Sequence, residues 1–205
     1  MTTVLLIRHG DHDWLGHTLV GRTPGIHLNE HGWNQARAVA KWAEVYPVEA
    51  IFTSPILRAV QTAEPLGQRF HLNPETHLSF NEIDFGEWMN CRFDELEGDP
   101  LWTKWNTYRS AVRVPGGETM AEVQTRALAG LRTLQNYHCV AVVSHGDVIK
   151  AMVAETLGFT LNELHQFEIS TGGVTILEIE HGRTTILALN QRPPLSEIFP
   201  RACAA

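Results

Sequence analysis

The chain has 205 residues, of which 43% are apolar, 19% charged and 8% aromatic, and this apolar content excludes a disordered chain. Its 16 basic and 23 acidic side chains give a formal net charge of -7, which argues against nucleic acids and anionic membranes as partners. Cys91, Cys139 and Cys203 are an odd number without metal-ligand spacing, so neither a disulfide framework nor a structural zinc site is predicted.

The chain is predicted to form one domain over residues 1–205, because it contains no fixed-period repeat, low-complexity segment or flexible linker. The apolar run of residues 4–7 ends at Arg8 and is too short for a signal peptide or a membrane span. We therefore expect a cytoplasmic protein with no membrane partner, and the sequence leaves its oligomeric state open.

The chain begins with a predicted strand followed by a helix. Residues 4–7 form a continuous apolar run typical of a strand buried on both faces. Asn29 is placed to cap a helix that presents alanines at helical spacing and stops before Pro47.

A second strand and helix follow at residues 50–53 and beyond. Ser54 and Pro55 have the pattern of a helix N-cap and first helical residue. Pro65 lies inside this apolar helical pattern, so we expect it to kink the helix or end it early.

The segment 81–115 is dense in Trp, Asp, Glu and Gly and weakly periodic, which predicts a lid-like excursion of short helices and loops. Thr119 and Glu122 then form a capping box that opens a long helix. Residues 140–143 predict a third buried strand, and the apolar helix that follows it closes at Gly158.

The chain ends in a predicted hairpin, with β-rich segments at 173–180 and 184–189 joined by His181 and Gly182. The alternation of strands and helices before it favours an α/β fold. We predict a three-layer α/β/α sandwich with a mostly parallel central sheet.

Polar side chains follow the three buried strands directly. Arg8 and His9 follow the first, Arg58 lies in the first turn after the second, and His145 follows the third. Taken singly, each has a structural explanation: a helix-capping histidine, a surface arginine paired with Glu64, or a satisfied strand-end pair. Because the carboxyl ends of parallel strands share one edge, these side chains are expected to converge. Such a group suits a phosphate dianion.

The chain resembles the histidine phosphatase superfamily, the phosphoglycerate-mutase-like group, in a series of ordered blocks. The matching blocks are Leu6-Ile7-Arg8-His9-Gly10, Leu28-Asn29-Glu30-His31-Gly32, Thr53-Ser54-Pro55 with Arg58, Glu82-Ile83-Asp84-Phe85-Gly86-Glu87-Trp88, Pro115-Gly116-Gly117-Glu118-Thr119 and Val143-Ser144-His145-Gly146. Ordered matching of several blocks is far more specific than one motif. The resemblance implies a phosphoglycerate-mutase-like fold and a phosphatase of small phosphorylated metabolites.

The resemblance also implies roles for five residues. His9 would be the nucleophile that forms a phosphohistidine, while Arg8, Arg58 and His145 would bind the phosphoryl oxygens. Glu82 would be the proton donor and later the base. Asp84, Glu87 and Asp94 are alternative donors, because they lie near Glu82 in sequence.

The chain departs from the family after Arg8-His9-Gly10. The family commonly has Glu-Thr and then an Asn three residues later, whereas Asp11, His12 and Leu15 stand here, so a polar phosphate contact is expected to be missing. Arg22 is carried over as a candidate substrate contact. His12, His17, His27 and His31 are irregularly spaced, which favours solvent-facing or structural roles, and we predict no metal and no cofactor.

Hydrolysis is favoured over mutase chemistry. The family's mutases carry a longer insertion with several arginines that closes over the substrate, whereas residues 88–115 contain only Arg92, Arg109 and Arg113. A phosphoglycerate mutase and a non-catalytic phosphate-binding protein remain as alternatives.

Overall fold

The computed structural model describes residues 1–195, so residues 196–205, including Cys203, lie outside the described part. Its sheet contains strands β1 (Thr2–Arg8), β2 (Ala50–Thr53), β3 (Glu75–Thr76), β4 (Cys139–Ser144), β5 (Val174–Glu180) and β6 (Arg183–Gln191). The α-helices are α1 (Glu30–Trp42), α2 (Leu57–Phe70), α3 (Phe93–Leu96), α4 (Pro100–Thr107), α5 (Met120–Thr133) and α6 (Gly146–Leu157).

The sheet is mostly parallel, as predicted, with strand order β3-β2-β4-β1-β5-β6. The pairs β1–β4, β2–β4 and β2–β3 are parallel, whereas β5 and β6 add an antiparallel hairpin beside β1. Arg8 pairs with Ser144, and Thr53 pairs with Val143. The ends of β1, β2 and β4 are therefore level, and the residues that follow them emerge at one edge.

Alternate residues of β1 point to opposite faces of the sheet and enter two different cores. Leu5 and Ile7 pack in a core with apolar residues of α1 and α2. Val4 and Leu6 pack in a second core with α5, α6 and the 81–115 excursion. This arrangement confirms the three-layer α/β/α sandwich.

Several local signals in the sequence are confirmed. Asn29 caps α1, its side chain accepting a hydrogen bond from the Gly32 backbone at 2.9 Å. Thr119 and Glu122 form the predicted capping box at the start of α5. Gly158 ends α6 in the left-handed conformation, with φ of 71°, which glycine adopts at little cost.

The helix after β2 differs from its prediction in two ways. It begins at Leu57 with Ile56 as N-cap rather than at Pro55, and Ser54 instead lies in the turn before it. The helix also continues through Pro65 to Phe70. Its buried stripe packs against the sheet and stabilises the helix despite the backbone hydrogen bond that proline cannot donate; the stripe consists of Ala59, Ala63 and Leu66.

The 81–115 excursion contains short helices and loops, as expected, and it is firmly packed. Trp105 is fully buried, and its indole lies at 5.4 Å between ring centroids from Trp102 and at 5.9 Å from Trp88. These contacts show that Trp88 packs inside the excursion. Within residues 1–195, no helix has both the length and the apolarity to cross a membrane.

Candidate active site

His9 follows β1 directly and continues its pairing, because the His9 backbone N–H donates to the Ser144 carbonyl at 3.0 Å. The chain then passes very close to the start of α1. A Cβ at Gly10 would lie 2.5 Å from the Gly32 carbonyl oxygen, so only glycine fits there. The close contact fixes the backbone that carries His9.

Hydrogen bonds at both ring nitrogens orient the His9 imidazole, which is only 3% exposed. Nδ1 donates to the Gly10 carbonyl at 2.8 Å, and Nε2 accepts from Arg58 Nε at 3.1 Å. Burial, followed by the charges of Arg58 and Arg8, holds the pKa of His9 well below its usual value. The ring is therefore neutral, and its partners place the lone pair at Nε2.

Arg58 is 1% exposed and lies in the first turn of α2. Its Nη2 donates to the Gly21 carbonyl at 2.9 Å and to His145 Nδ1 at 3.2 Å. Burial lowers the pKa of Arg58, and the nearby charge of Glu82 raises it. A guanidinium nevertheless stays charged in proteins.

Two guanidinium nitrogens at this site are buried without a hydrogen-bond partner among residues 1–195, namely Arg58 Nη1 and Arg8 Nε. Arg8 is held by its Nη1, which donates to the Ile169 carbonyl at 2.7 Å. Buried donors are almost always paired in proteins. Two unpaired cationic donors beside one histidine indicate a site for an anion.

His145 stands at the N-cap of α6 and is fully buried. Its Nδ1 accepts from Arg58, so Nε2 carries the proton and donates to Ser54 Oγ at 2.8 Å. Ser54 Oγ in turn donates to Asn81 Oδ1 at 3.2 Å. Burial, followed by the charge of Arg58, lowers the pKa of His145 well below its usual value. Ser54, predicted as a helix cap, instead orients this histidine.

Glu82 reaches the same group of side chains. Its Oε2 lies 3.5 Å from His145 Nδ1 and 3.6 Å from Arg58 Nη2. Burial raises the pKa of Glu82 to about 7, with a further upward contribution from Asp147 and an opposing one from Arg58. A carboxyl that titrates near neutrality can both donate and accept a proton.

The cavity beside these residues has a volume of about 210 Å³. The side chains that could carry chemistry in its lining are Arg8, His9, His12, Arg58, Glu82, Asp147, Lys150 and Glu168. Asp84, Glu87 and Asp94, the alternative proton donors, are outside this lining. The structure therefore brings Glu82 to the cavity and leaves these three carboxylates away from it.

Arg22, like His145, is outside the cavity lining, so contact of either side chain with substrate stays a prediction. Arg22 Nε donates to the Glu82 carbonyl at 2.8 Å, and its Nη2 donates to Glu118 Oε2 at 2.9 Å. Arg126 binds the same two residues, with Nη2 at 3.1 Å from the Glu82 carbonyl and Nε at 2.9 Å from Glu118 Oε1. Sequence reasoning missed Glu118 and Arg126 as supports, although Glu118 stands inside a matched family block.

Of the two roles predicted for His12, solvent-facing or structural, the structure excludes the first. His12 is 4% exposed and lines the cavity. His17, His27 and His31 are exposed, in line with the prediction. The described residues contain no group of three or more His, Cys, Asp or Glu side chains that could hold a metal ion.

Comparison with known proteins gives the family. Residues 4–192 match the model of the histidine phosphatase superfamily (branch 1). The chain is 33% identical over 162 residues to the uncharacterized phosphatase PhoE of Bacillus subtilis, covering 77% of this chain and 79% of that protein. It is 29% identical over 210 residues to phosphoserine phosphatase 1 of Hydrogenobacter thermophilus, covering 98% of both chains.

Solved structures agree with these relatives. Bacillus stearothermophilus YhfR superimposes with a TM-score of 0.87 at 27% identity, over 93% of this chain and 98% of that one. A phosphoserine phosphatase mutant from Entamoeba histolytica in complex with phosphoserine has a TM-score of 0.82 at 27% identity, over 94% and 98% of the two chains. The chain therefore belongs to branch 1 of the histidine phosphatase superfamily and is a phosphatase, a hydrolase of phosphomonoesters.

Proposed function

We propose that the protein hydrolyses small soluble phosphomonoesters through a phosphohistidine at Nε2 of His9. The observation that carries this proposal is the hydrogen bonding of the His9 ring. Its Nδ1 lies 2.8 Å from the Gly10 carbonyl oxygen, and its Nε2 accepts from Arg58 Nε at 3.1 Å, beside two unpaired arginine donors. A buried neutral imidazole in this state is a nucleophile that faces an anion site.

In the first step, His9 Nε2 attacks phosphorus and forms the N–P bond while the P–O bond to the substrate's alcohol breaks. Arg8 and Arg58 bind the phosphoryl oxygens and neutralise their charge. Neutral His145 accepts a hydrogen bond at Nδ1, so it can donate to a phosphoryl oxygen only after Nδ1 gains a proton. The negative charge of a phosphate dianion between the two arginines favours protonation of Nδ1.

Glu82 provides the proton that the departing alkoxide requires. In the second step, a water molecule gives a proton to the same carboxylate and attacks phosphorus, the N–P bond breaks, and inorganic phosphate leaves. The raised pKa of Glu82, about 7, suits both the acid and the base role near neutral pH. No metal ion takes part in these steps.

Hydrolysis is favoured over mutase chemistry by the arginines of the 81–115 excursion. Arg109 pairs with Asp147 at 2.7 Å, Arg113 with Glu122 at 2.6 Å, and Arg92 with Asp94 at 2.7 Å. Each is therefore engaged by a carboxylate of the protein itself. Arginines that already have a carboxylate partner are less free to close over a reorienting bisphosphate intermediate.

The substrate is a small metabolite rather than a macromolecule. The cavity is small, at about 210 Å³, and Lys150 and Glu168 of its lining offer one charge of each sign to the part of the substrate beyond phosphate. Relatives named for phosphoserine support a substrate of this size.

Cys91 and Cys139 are free thiols, as a reducing cytoplasm would keep them.

The test combines two variants with p-nitrophenyl phosphate and EDTA in every assay. His9→Ala should abolish turnover. Glu82→Gln should give a burst of one p-nitrophenolate per enzyme, because this leaving group needs little protonation while the second step lacks its base; acid-labile phosphate on His9 should accumulate.

His138→Ala is the matched control, since His138 is exposed beside the opposite end of β4, and its turnover should equal that of the native chain. Full activity of His9→Ala would overturn the proposal. Binding of phosphate without turnover of any phosphoester would favour a non-catalytic role. Transfer of phosphate between positions of 3-phosphoglycerate, with a bisphosphoglycerate primer and without phosphate release, would favour a mutase.

A further inference from the structure

The side chain of His12 has a buried nitrogen that the protein leaves unpaired. Its Nδ1 has no hydrogen-bond partner within residues 1–195, although the residue is 4% exposed. The ring lines the same cavity as His9, with their centroids 5.6 Å apart and their planes tilted by 32°. An unpaired buried nitrogen is costly, so a molecule bound in the cavity would be stabilised by pairing with it.

Three unpaired nitrogens belong to residues of this one cavity: His12 Nδ1, Arg8 Nε and Arg58 Nη1. The two guanidinium nitrogens are donors only. Burial, then the charges of Arg58 and Arg8, lowers the pKa of His12 to about 4. His12 is therefore neutral near pH 7 and can carry its single proton on Nδ1. An oxyanion with several acceptor oxygens would pair all three nitrogens at once.

Leu15 stands at or near the position where the family commonly has Asn, and it lines the cavity without a polar group. The Leu15 side chain therefore offers no hydrogen bond to a phosphate group. Building on the proposed function, we propose that His12 supplies such a hydrogen bond and donates its Nδ1–H to an oxygen of the substrate's phosphoryl group. His12 then contacts the reacting group directly, although it takes no part in bond making.

A purely structural role for His12 explains the observations less well. A packing histidine in a core normally has its ring nitrogens paired, and no such partner is present here among the described residues. Asp11 and Asp13 contribute charges that raise the pKa of His12, but burial and the two arginines outweigh them. The ring is therefore held neutral in a strongly cationic cavity, as a donor for an anion would be.

Two substitutions separate these roles. In His12→Asn, the amide nitrogen occupies nearly the same place relative to Cβ as Nδ1 does in histidine, so a donor is retained. In His12→Leu, the volume is similar and the donor is lost. His138→Asn, on the exposed residue beside the opposite end of β4, is the control for a histidine replacement elsewhere.

Binding of inorganic phosphate is measured by calorimetry, which requires no turnover. His12→Leu should weaken phosphate binding by roughly 10- to 100-fold, the usual range for one hydrogen bond to a charged group. His12→Asn should stay within about threefold of the native chain, and His138→Asn should be unchanged. Thermal unfolding of each variant verifies that it is folded.

A spectroscopic signature complements the titration. In the ¹⁵N-histidine-labelled native protein, phosphate should shift the Nδ1 resonance of His12 to that of a protonated, hydrogen-bonded nitrogen. An unchanged His12 resonance, equal phosphate affinity of the folded His12→Leu and native chains, or no phosphate binding by the native chain would each overturn the inference. Failure of the proposed function would instead appear as His12-dependent phosphate binding without hydrolysis.

Discussion

Two pairs of arginines in this protein serve opposite purposes. Arg8 and Arg58 retain buried nitrogens without a partner among the described residues, whereas Arg22 and Arg126 both pair with Glu118 and donate to the Glu82 carbonyl. The first pair is arranged for an incoming anion, and the second holds the loop that carries Glu82, the proposed proton donor. Among the described arginines, buried unpaired donors therefore occur at the cavity, and paired donors occur in its support.

The largest effect is expected from removing an unpaired donor. Arg58→Met should lower kcat/KM by at least about 10²–10³-fold, the range for losing one preorganised donor to the transition state. The free energy of unfolding should also fall, by about 1–3 kcal/mol, because the Gly21 carbonyl and the two histidine nitrogens lose a buried donor. Steady-state kinetics and urea unfolding test both parts. Unchanged kcat/KM in the folded variant would mean that Arg58 is structural.

The next effect concerns Glu82 and depends on pH. Its raised pKa means that the folded protein holds a proton between about pH 4.5 and 7 that the unfolded chain releases. This group therefore lowers stability as pH rises through that window. Glutamine does not titrate, so Glu82→Gln avoids this loss. The unfolding free energy of the variant minus that of the native chain should therefore be larger at pH 8 than at pH 4, by up to about 3 kcal/mol.

The pH dependence of catalysis gives an independent check on Glu82. Native kcat/KM with a poor leaving group should fall above about pH 7, since the proton donor is then ionised. Glu82→Gln should remove this limb of the profile. If the variant shows the same stability difference from the native chain at both pH values, Glu82 does not carry the raised pKa.

A smaller and different effect is expected from the supporting pair. Glu118→Gln leaves Arg22 and Arg126 without their carboxylate and should cost about 1–3 kcal/mol in unfolding free energy, since these side chains are only partly buried. kcat should fall roughly tenfold with KM little changed, and the pH profile should shift because Glu82 is held less firmly. An unchanged pH profile of activity would show that Glu118 does not position Glu82.

The smallest effect is expected at an ion pair unrelated to either group. Arg92 and Asp94 pair at 2.7 Å but are well exposed. Arg92→Ala should leave both the urea midpoint and kcat/KM unchanged within error. A measurable loss of activity would show that the excursion contributes a charge to substrate binding after all.

The sheet and the position of the site at its edge could be predicted because both follow from local patterns. Buried runs at 4–7, 50–53 and 140–143 predict strands, and level carboxyl ends of parallel strands bring their following residues together. His9, Arg8 and His145 each stand directly after such a run. Their convergence therefore needed no information from distant parts of the chain.

The supports could not be predicted, because they depend on contacts between distant positions. Arg22 and Arg126 meet at Glu118 only once the helices and loops have packed. A serine before a proline has the same local pattern as a helix cap, so the local sequence predicts the wrong role for Ser54. For His12 the local sequence predicts either a solvent-facing or a structural side chain, because its loop gives no sign of the cavity that forms around it.

The hydrogen bond from Arg58 Nε to His9 Nε2 has a consequence for chemical selectivity. It occupies the Nε2 lone pair that the proposed mechanism uses, so that mechanism requires Arg58 to turn toward the phosphoryl oxygens before His9 attacks. A neutral acylating or alkylating reagent has no negative oxygens to attract Arg58, so His9 should react with such a reagent more slowly than with an anionic phosphate ester.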